Sequence, residues 1–408
     1  MTTLPAPHAR TTPVHRGPRM WALLLVLAGN MLIDALEVSI VLVALPTIAA
    51  DLELTPWGVQ WIMSGFALGF AAVLLLGPRV TARWGRRRVF LIALLVFTVA
   101  SVVGGLTDSA VLLVVTRVIK GMCAALTAPT GLAIITTTLP DGPRQRRAVA
   151  VYSLFGAAGF TIGVLLSGGL TGVDWMWTFL APAPVAFLLL VLGLRFIPRD
   201  PAHRSAPPVF ARRLLRNGPL VRAAVCAAGL NGAYLGLLVL VGFQGHHVMG
   251  WSSWQTAVAL LPACLPLAVS VPFSARMVER FGTPRLIALG ALTPVVGQLF
   301  YLADPAPGRY VTTLLPALLL VGLGFVFAFA ALNMQAASAV EPGERGMAIP
   351  LYQTAVQSGA VVMLPTVAVL LTAYDEYRVA LAAIAVAGTA GLSAALPGLR
   401  KAKTGVPG

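Results

Sequence analysis

Acidic side chains are scarce in this sequence, 14 against 29 lysines and arginines, and residues of either charge fill only 11% of its 408 positions. So little charge excludes the polar surface of an ordinary soluble globule. Cysteine is equally rare. Cys123, Cys226 and Cys264 each fall inside an apolar run, odd in number and without metal-ligand spacing, so they read as small packing residues rather than a disulfide framework or a metal site. No G-x-x-x-x-G-K-[ST] phosphate loop occurs, which argues against an ATP-driven pump. No constellation of a soluble enzyme is visible, and no metal or cofactor is expected. A cleavable leader is not expected either: residues 1–19 are polar, and the run from Trp21 is too long for a signal core.

What the sequence has in abundance is hydrophobic side chains, 58% of the total, with 40 glycines and 30 prolines among them. Membrane helices tolerate both better than soluble helices do. Apolar runs fall near residues 21–45, 58–77, 89–106, 111–138, 149–171, 178–197, 220–243, 254–274, 286–303, 310–338, 347–373 and 379–397. Most have the roughly 17–25 residues that cross a bilayer. The expected fold is therefore an all-α integral membrane protein of twelve transmembrane helices. Residues 198–219, rich in proline and arginine, divide the runs six to six. This predicts a tail at 1–19, a six-helix bundle at 20–197, a linker at 198–219 with a short surface helix in Arg-Arg-Leu-Leu-Arg, a second bundle at 220–397 and a tail at 398–408.

The basic residues orient this layout. With the N-terminus in the cytoplasm, all but four of the 29 lie on that side; Arg309 and Arg378 fall outside, and Arg117 and Lys120 lie within the fourth run. Cytoplasmic loops carry such an excess, so both termini are expected inside. The net charge of +15 is then a topology signal, and no nucleic-acid partner is expected. The halves also repeat weakly. The segment Ala82-Arg83-Trp84-Gly85 resembles Glu279-Arg280-Phe281-Gly282, and the same spacing carries Asp34 onto Asn231 and Glu37 onto Tyr234. Parallel repeats of six helices are a transporter architecture, with a site between the repeats near the midplane.

Four ionisable residues remain deep in the predicted membrane. Asp34 and Glu37 are three apart in the first run and share a helix face; Arg117 and Lys120 do the same in the fourth. An ionised group in hydrocarbon costs about 2.5–3.5 kcal/mol on the lenient insertion scale, and such residues mark ion or substrate pathways by default. Burial favours a neutral acid and a nearby cation an ionised one, a competition suited to a proton switch. The alternative is a static ion-pair lock that only fixes helix packing. Asn30, Asn231, Tyr234, Asn333, Gln335, Tyr352, Gln353 and Gln357 are candidates for lining a cavity, or else for hydrogen bonds between helices. Gly156, Gly159, Gly163 and Gly168 allow close helix contact, for gating or for packing alone. His246-His247 is expected in an exposed loop, and Trp57, Trp61, Trp251 and Trp254 as interfacial anchors.

These residues resemble the major facilitator superfamily, specifically its drug:proton antiporters. Leu36-Glu37-Val38-Ser39 through Val43-Ala44-Leu45-Pro46 is similar to the helix 1 motif L-D-x-T-x-x-N-x-A-L-P of a branch that usually has fourteen helices; Glu37 falls on its acid and Asp34 is additional. Gly77–Arg88 resembles the loop 2–3 signature ending D-R-x-G-R-R, with Arg83, Gly85, Arg86 and Arg87 matching and Ala82 in place of the Asp. Thr116–Gly121 resembles R-x-x-Q-G, with Arg117 kept and Lys120 in place of the Gln; Gly163–Gly168 is a degraded G-P-x-x-G-G, with Val164 at the Pro. The resemblance implies a secondary active exporter in the bacterial inner membrane. It implies two six-helix bundles that rock by alternating access, a monomer, protons and a small amphipathic molecule as partners, and a gate at Arg83, Gly85, Arg86 and Arg87. A proton-independent facilitator or importer, and a non-transporting membrane enzyme or sensor, are the alternatives.

Overall fold

The computed structural model describes residues 18–139, 142–199, 212–303, 309–341, 344–374 and 376–404. Residues 1–17 and 405–408 of the predicted tails and residues 200–211 of the linker lie outside them; the last helix continues to Thr404, into the predicted C-terminal tail. Twelve helices are long and apolar enough to cross a membrane: Arg19–Ser39 (α1), Pro56–Leu74 (α2), Arg86–Gly105 (α3), Ala110–Thr138 (α4), Pro143–Thr171 (α5), Trp177–Phe196 (α6), Gly218–His247 (α7), Ser253–Phe273 (α8), Thr283–Ala303 (α9), Tyr310–Ser338 (α10), Arg345–Ala373 (α11) and Tyr377–Gly398 (α12). Among the described residues no strand occurs. This is a multi-pass membrane protein, as the hydropathy requires: in lipid every backbone polar group must be satisfied within its own segment.

Local chemistry sets the helix ends. Thr55, Ser109 and Asn217 cap α2, α4 and α7 by accepting from Gly58 N, Leu112 N and Leu220 N. Ser252 and Gln255 form a reciprocal capping box on α8. The Arg-Arg-Leu-Leu-Arg segment forms a 3-10 turn, Arg212–Arg216. The histidine pair departs from expectation. His246 and His247 occupy the last turn of α7, edge to face with one another, with His247 stacked on Phe243 one turn earlier.

Short connections make successive helices antiparallel within each bundle, and the end of α5 meets the start of α8 at Gly168 and Ala257, so α7 begins at the same end as α1. α1 therefore begins, and α12 ends, at the same end of the molecule, here the termini end. Packing repeats with a period of six helices. α1 on α5 recurs as α7 on α11, α2 on α4 as α8 on α10, and α3 on α4 and α6 as α9 on α10 and α12. The two bundles meet through α2 against α11 and α5 against α8.

Their junction is asymmetric along the membrane normal. One buried apolar cluster runs from Ile40–Leu45, beyond α1, through Ile62 and Met63 into Leu237–Val241, Leu260 and Val321 of the second bundle. A separate cluster, including Leu27, Phe90, Leu94, Ile134 and Leu190, is confined to the first bundle at the termini end. The buried apolar core is thus continuous between the bundles at the far end, while at the termini end the first bundle has a cluster of its own and α5 still touches residues 271–273 of α8. Glycines make the close contacts. At Gly159 a Cβ would lie 2.4 Å from Leu32 O of α1, and at Gly168 it would lie 2.4 Å from the Ala257 Cβ of α8.

The first run does not form one helix. α1 stops at Ser39, Leu42 and Ala44 bond back three residues to Ser39 and Val41, and a short helix resumes at Leu45–Asp51. Trp175 Nε1 ties that short helix to the start of α6 by donating to Asp51 Oδ2 at 2.8 Å.

The glycine contacts generate a stability prediction. Gly159→Val forces α1 and α5 apart against backbone, an overpacking cost of about 1–3 kcal/mol or more. Purified protein in detergent is expected to melt several degrees lower. The same change at Gly169, where a Cβ meets nothing within 4 Å, is expected to leave the melting temperature unchanged.

Candidate functional site

The faces of α1 and α4 mesh as a polar strip. Stepping by three or four residues along α1 gives Asn30, Asp34 and Glu37. On α4 the same step gives Thr127, Cys123, Lys120 and Arg117. The helices run in opposite directions, so Glu37 meets Lys120 and Arg117 while Asp34 meets Thr127.

Glu37 is completely buried. Its Oε2 lies 2.6 Å from Arg117 Nη1, and its Oε1 lies 2.6 Å from Lys120 Nζ; both cations are also sealed from solvent. The lysine contact is an ion pair off the line of a directed hydrogen bond. Arg117 does more than balance charge. Its Nη2 donates to Glu37 O at 2.8 Å, beside the break that ends α1, and its Nε donates to Ile62 O of α2 at 3.0 Å. The guanidinium thus fastens α4 to α1 and α2 at once, and it sits at the helix C-terminus, where the backbone dipole favours a cation. Aromatic faces complete the shell: Phe66 lies 4.9 Å from Arg117, and Phe97 and Phe179 lie 5.1 and 5.8 Å from the Lys120 ammonium. Such contacts add about 0.5–2 kcal/mol each.

Asp34 is differently placed. Its donors are neutral, Asn30 Nδ2 at 2.7 Å and Thr127 Oγ1 at 2.8 Å, and both reach the same oxygen, Oδ2. The residue keeps 7% of its surface accessible where Glu37 keeps none. Tyr152 of α5, its hydroxyl held by Ala128 O at 2.7 Å, and Cys123 of α4 lie within electrostatic reach of the carboxylate. Thr127 and Tyr152 were not singled out from the sequence. Thr127 was detectable as the next polar step on the Arg117–Lys120 face; a tyrosine on a different helix left no such pattern.

The softer candidates divide into two groups. Tyr234 packs on Phe160 of α5 with ring centres 5.8 Å apart and on Phe325 of α10 at 4.4 Å, and Phe329 stacks on Phe325. This aromatic row bridges the bundles. Asn231 donates to Val356 O, and Gln353 donates to Asn333 Oδ1; these residues and Gln357 are half-buried. Gln335 and Tyr352 point elsewhere. Gln335 donates to Pro219 O and lines a small cavity with Cys226 and Ile287, among helices of the second bundle alone. Tyr352 is 1% exposed, and its hydroxyl has no hydrogen-bond partner among the described residues.

Of the residues expected to form a gate, Arg83 is exposed and Gly85 turns the chain at φ 81°. Arg86 donates to Thr137 Oγ1 at 3.0 Å, and Arg87 to Leu194 O. The helix Gly77–Trp84 that carries Ala82 packs on α3 and α4 of its own bundle. At Gly163 a Cβ would lie 2.2 Å from Ser39 Oγ, so this glycine seats the end of α1. Gly168 lies at the fused far end, against α8.

This chain is similar to known proteins. The model of the Major Facilitator Superfamily matches residues 27–364. The puromycin resistance protein pur8 of Streptomyces alboniger is 31% identical, over 87% of this chain and 83% of that protein. The cephamycin export protein CmcT of Amycolatopsis lactamdurans is 33% identical over 66% of this chain, which spans about half of it, 52%. Among solved structures, a bacterial homolog of the human lysosomal transporter Spinster superposes with a TM-score of 0.72 at 16% identity, covering 95% of this chain and 99% of that one.

The triad makes a graded prediction. Arg117→Ala strands two buried carbonyls and removes one of the two cations that answer Glu37, a loss of about 3–5 kcal/mol for a broken buried pair. Lys120→Met leaves the Glu37–Arg117 pair intact and is expected to lose clearly less. Thermal unfolding in detergent ranks the two; equal losses would mean that the backbone contacts of Arg117 contribute nothing.

Proposed function

Because this chain belongs to the major facilitator superfamily, a family of membrane transporters, we propose that it exports a small amphipathic antibiotic-like compound in exchange for protons. The observation that carries this reading is the polar strip between α1 and α4. It sets two acids against two cations in the middle of a membrane protein, and one acid, Asp34, retains accessible surface. Relatives named for puromycin resistance and cephamycin export support the direction and the class of cargo.

In mechanism, substrate enters between the bundles from the termini end, where the buried core is divided. It rests against the aromatic row of Phe160, Tyr234, Phe325 and Phe329, within reach of Asn231 and Gln357. An acid of α1 holds a proton or releases it. Its charge then alters the attraction between α1 and α4, and with it the preferred packing of the two bundles. The far-end junction, with Gly168 pressed on α8, opens as the termini end closes. Both termini lie in the cytoplasm, so the fused end faces outward across the inner membrane.

Two measurements test this. Proteoliposomes holding the purified protein are expected to move puromycin against its gradient when a pH gradient is imposed, and to stop when a protonophore collapses it. Accumulation indifferent to the protonophore would sink proton coupling. Reporter fusions after Arg216 and after Lys403 are expected to read cytoplasmic; an external signal from either overturns the orientation.

A further inference from the structure

We infer that Asp34 is the acid that exchanges the proton, and that Lys120 is a positioning residue which keeps Glu37 out of that exchange by sealing it into a permanent ion triad. The inference rests on the proton-coupled reading above and departs from what motif position alone indicates, since Glu37, not Asp34, falls on the helix 1 motif acid.

The geometry separates the two acids. A carboxylate that trades a proton needs a route for the proton and an oxygen able to take it. Glu37 has neither: each of its oxygens lies 2.6 Å from a different cation, and all three side chains are shut away from solvent. Protonating it would strand two buried positive charges on one neutral partner, and the penalty for an uncompensated buried charge is several kcal/mol per ion. Asp34 differs on both counts. Asn30 and Thr127 crowd Oδ2 and leave Oδ1 without a hydrogen bond from a described residue, and the residue, though buried, keeps 7% of its surface where Glu37 keeps none. Asp34 lies where the continuous far-end core gives way to the separate cluster of the termini end.

Its neighbours from each packed helix are Asn30 and Glu37 on α1, Thr127 and Cys123 on α4, and Tyr152 on α5. The charged group acting on Asp34 is therefore Glu37, another acid; the two cations are spent on Glu37. Lys120 is what makes this arrangement possible. With Arg117 alone, one oxygen of Glu37 would face the protein interior without a cation, and the motif acid would be the one left to titrate. The exchange balances simply. Asp34 Oδ1 binds one proton from the outer side and the side chain becomes neutral; the proton leaves to the cytoplasmic side and the carboxylate returns, while Glu37, Arg117 and Lys120 keep their charges throughout.

The test compares Asp34→Asn with the charge-balanced double variant Glu37→Gln/Lys120→Met, which removes one acid and one base together and leaves Arg117 its neutral partner. Infrared difference spectra of the full-length protein across an acid titration read the carboxyl directly. The parent and the double variant are expected to show the same buried protonated-carboxyl band, and Asp34→Asn to lack it. Proteoliposomes are expected to agree: Asp34→Asn loses pH-driven puromycin accumulation yet keeps exchange between equal compartments. A band that survives in Asp34→Asn and vanishes from the double variant overturns the assignment. If the double variant melts too low to study, Lys120→Gln alone decides. Its spectrum is expected to gain a second titrating carboxyl, from the released Glu37, and a spectrum identical to the parent overturns the role of Lys120. A parent that neither accumulates puromycin under a pH gradient nor binds a buried proton would instead defeat the proton-coupled reading itself.

Discussion

A charge inside a membrane protein has to be answered by another protein group, because neither lipid nor a packed core will solvate it. That constraint organises the first bundle. Glu37 requires Arg117 and Lys120, which brings α4 to within ion-pair distance of α1. Arg117 in turn takes up the Glu37 carbonyl at the point where α1 breaks, and the Ile62 carbonyl of α2. One guanidinium thus sets the relation of three helices. The aromatic rings of α2, α3 and α6 close around the two cations and exclude water from them. A low-dielectric shell strengthens the pairing and raises the penalty for breaking it.

Close backbone contact provides the second organising force. A bundle in lipid gains little from the hydrophobic effect and depends on packing. Gly159 and Gly163 let α5 lie on the carbonyls of α1, and Gly168 lets the far end of α5 lie on α8 of the other bundle. The first two contacts are within a bundle and the third is between bundles. A rocking motion can keep the former and break the latter, so neighbouring glycines of one helix serve different purposes. Ala82 belongs with this point. The acid that the resemblance expects at this position is missing, and the short helix bearing Ala82 packs within its own bundle. The bundles instead meet through α2 against α11 and α5 against α8.

The sequence by itself determined the membrane class, the twelve spans, their division six to six and the presence of two acids and two bases in the interior. Each follows from one-dimensional quantities: run length against bilayer thickness, the scarcity of charge within a run, and helical spacing that sorts side chains by face. The break at Ser39 was not legible, because Ile40–Ala44 is as apolar as the helix before it and loses helicity only where Arg117 offers the backbone another donor. Nor could spacing say which acid meets which base. Asp34 and Glu37 share a face, and only the packing of α4 gives one acid two cations and the other a threonine. Helix rotation likewise decided that Gln335 and Tyr352 turn into the second bundle while Tyr234 joins an aromatic row across the junction. Which end of that junction is fused is a property of two bundles docked as bodies, set by contacts between residues far apart in the chain, and no periodicity along either bundle encodes it.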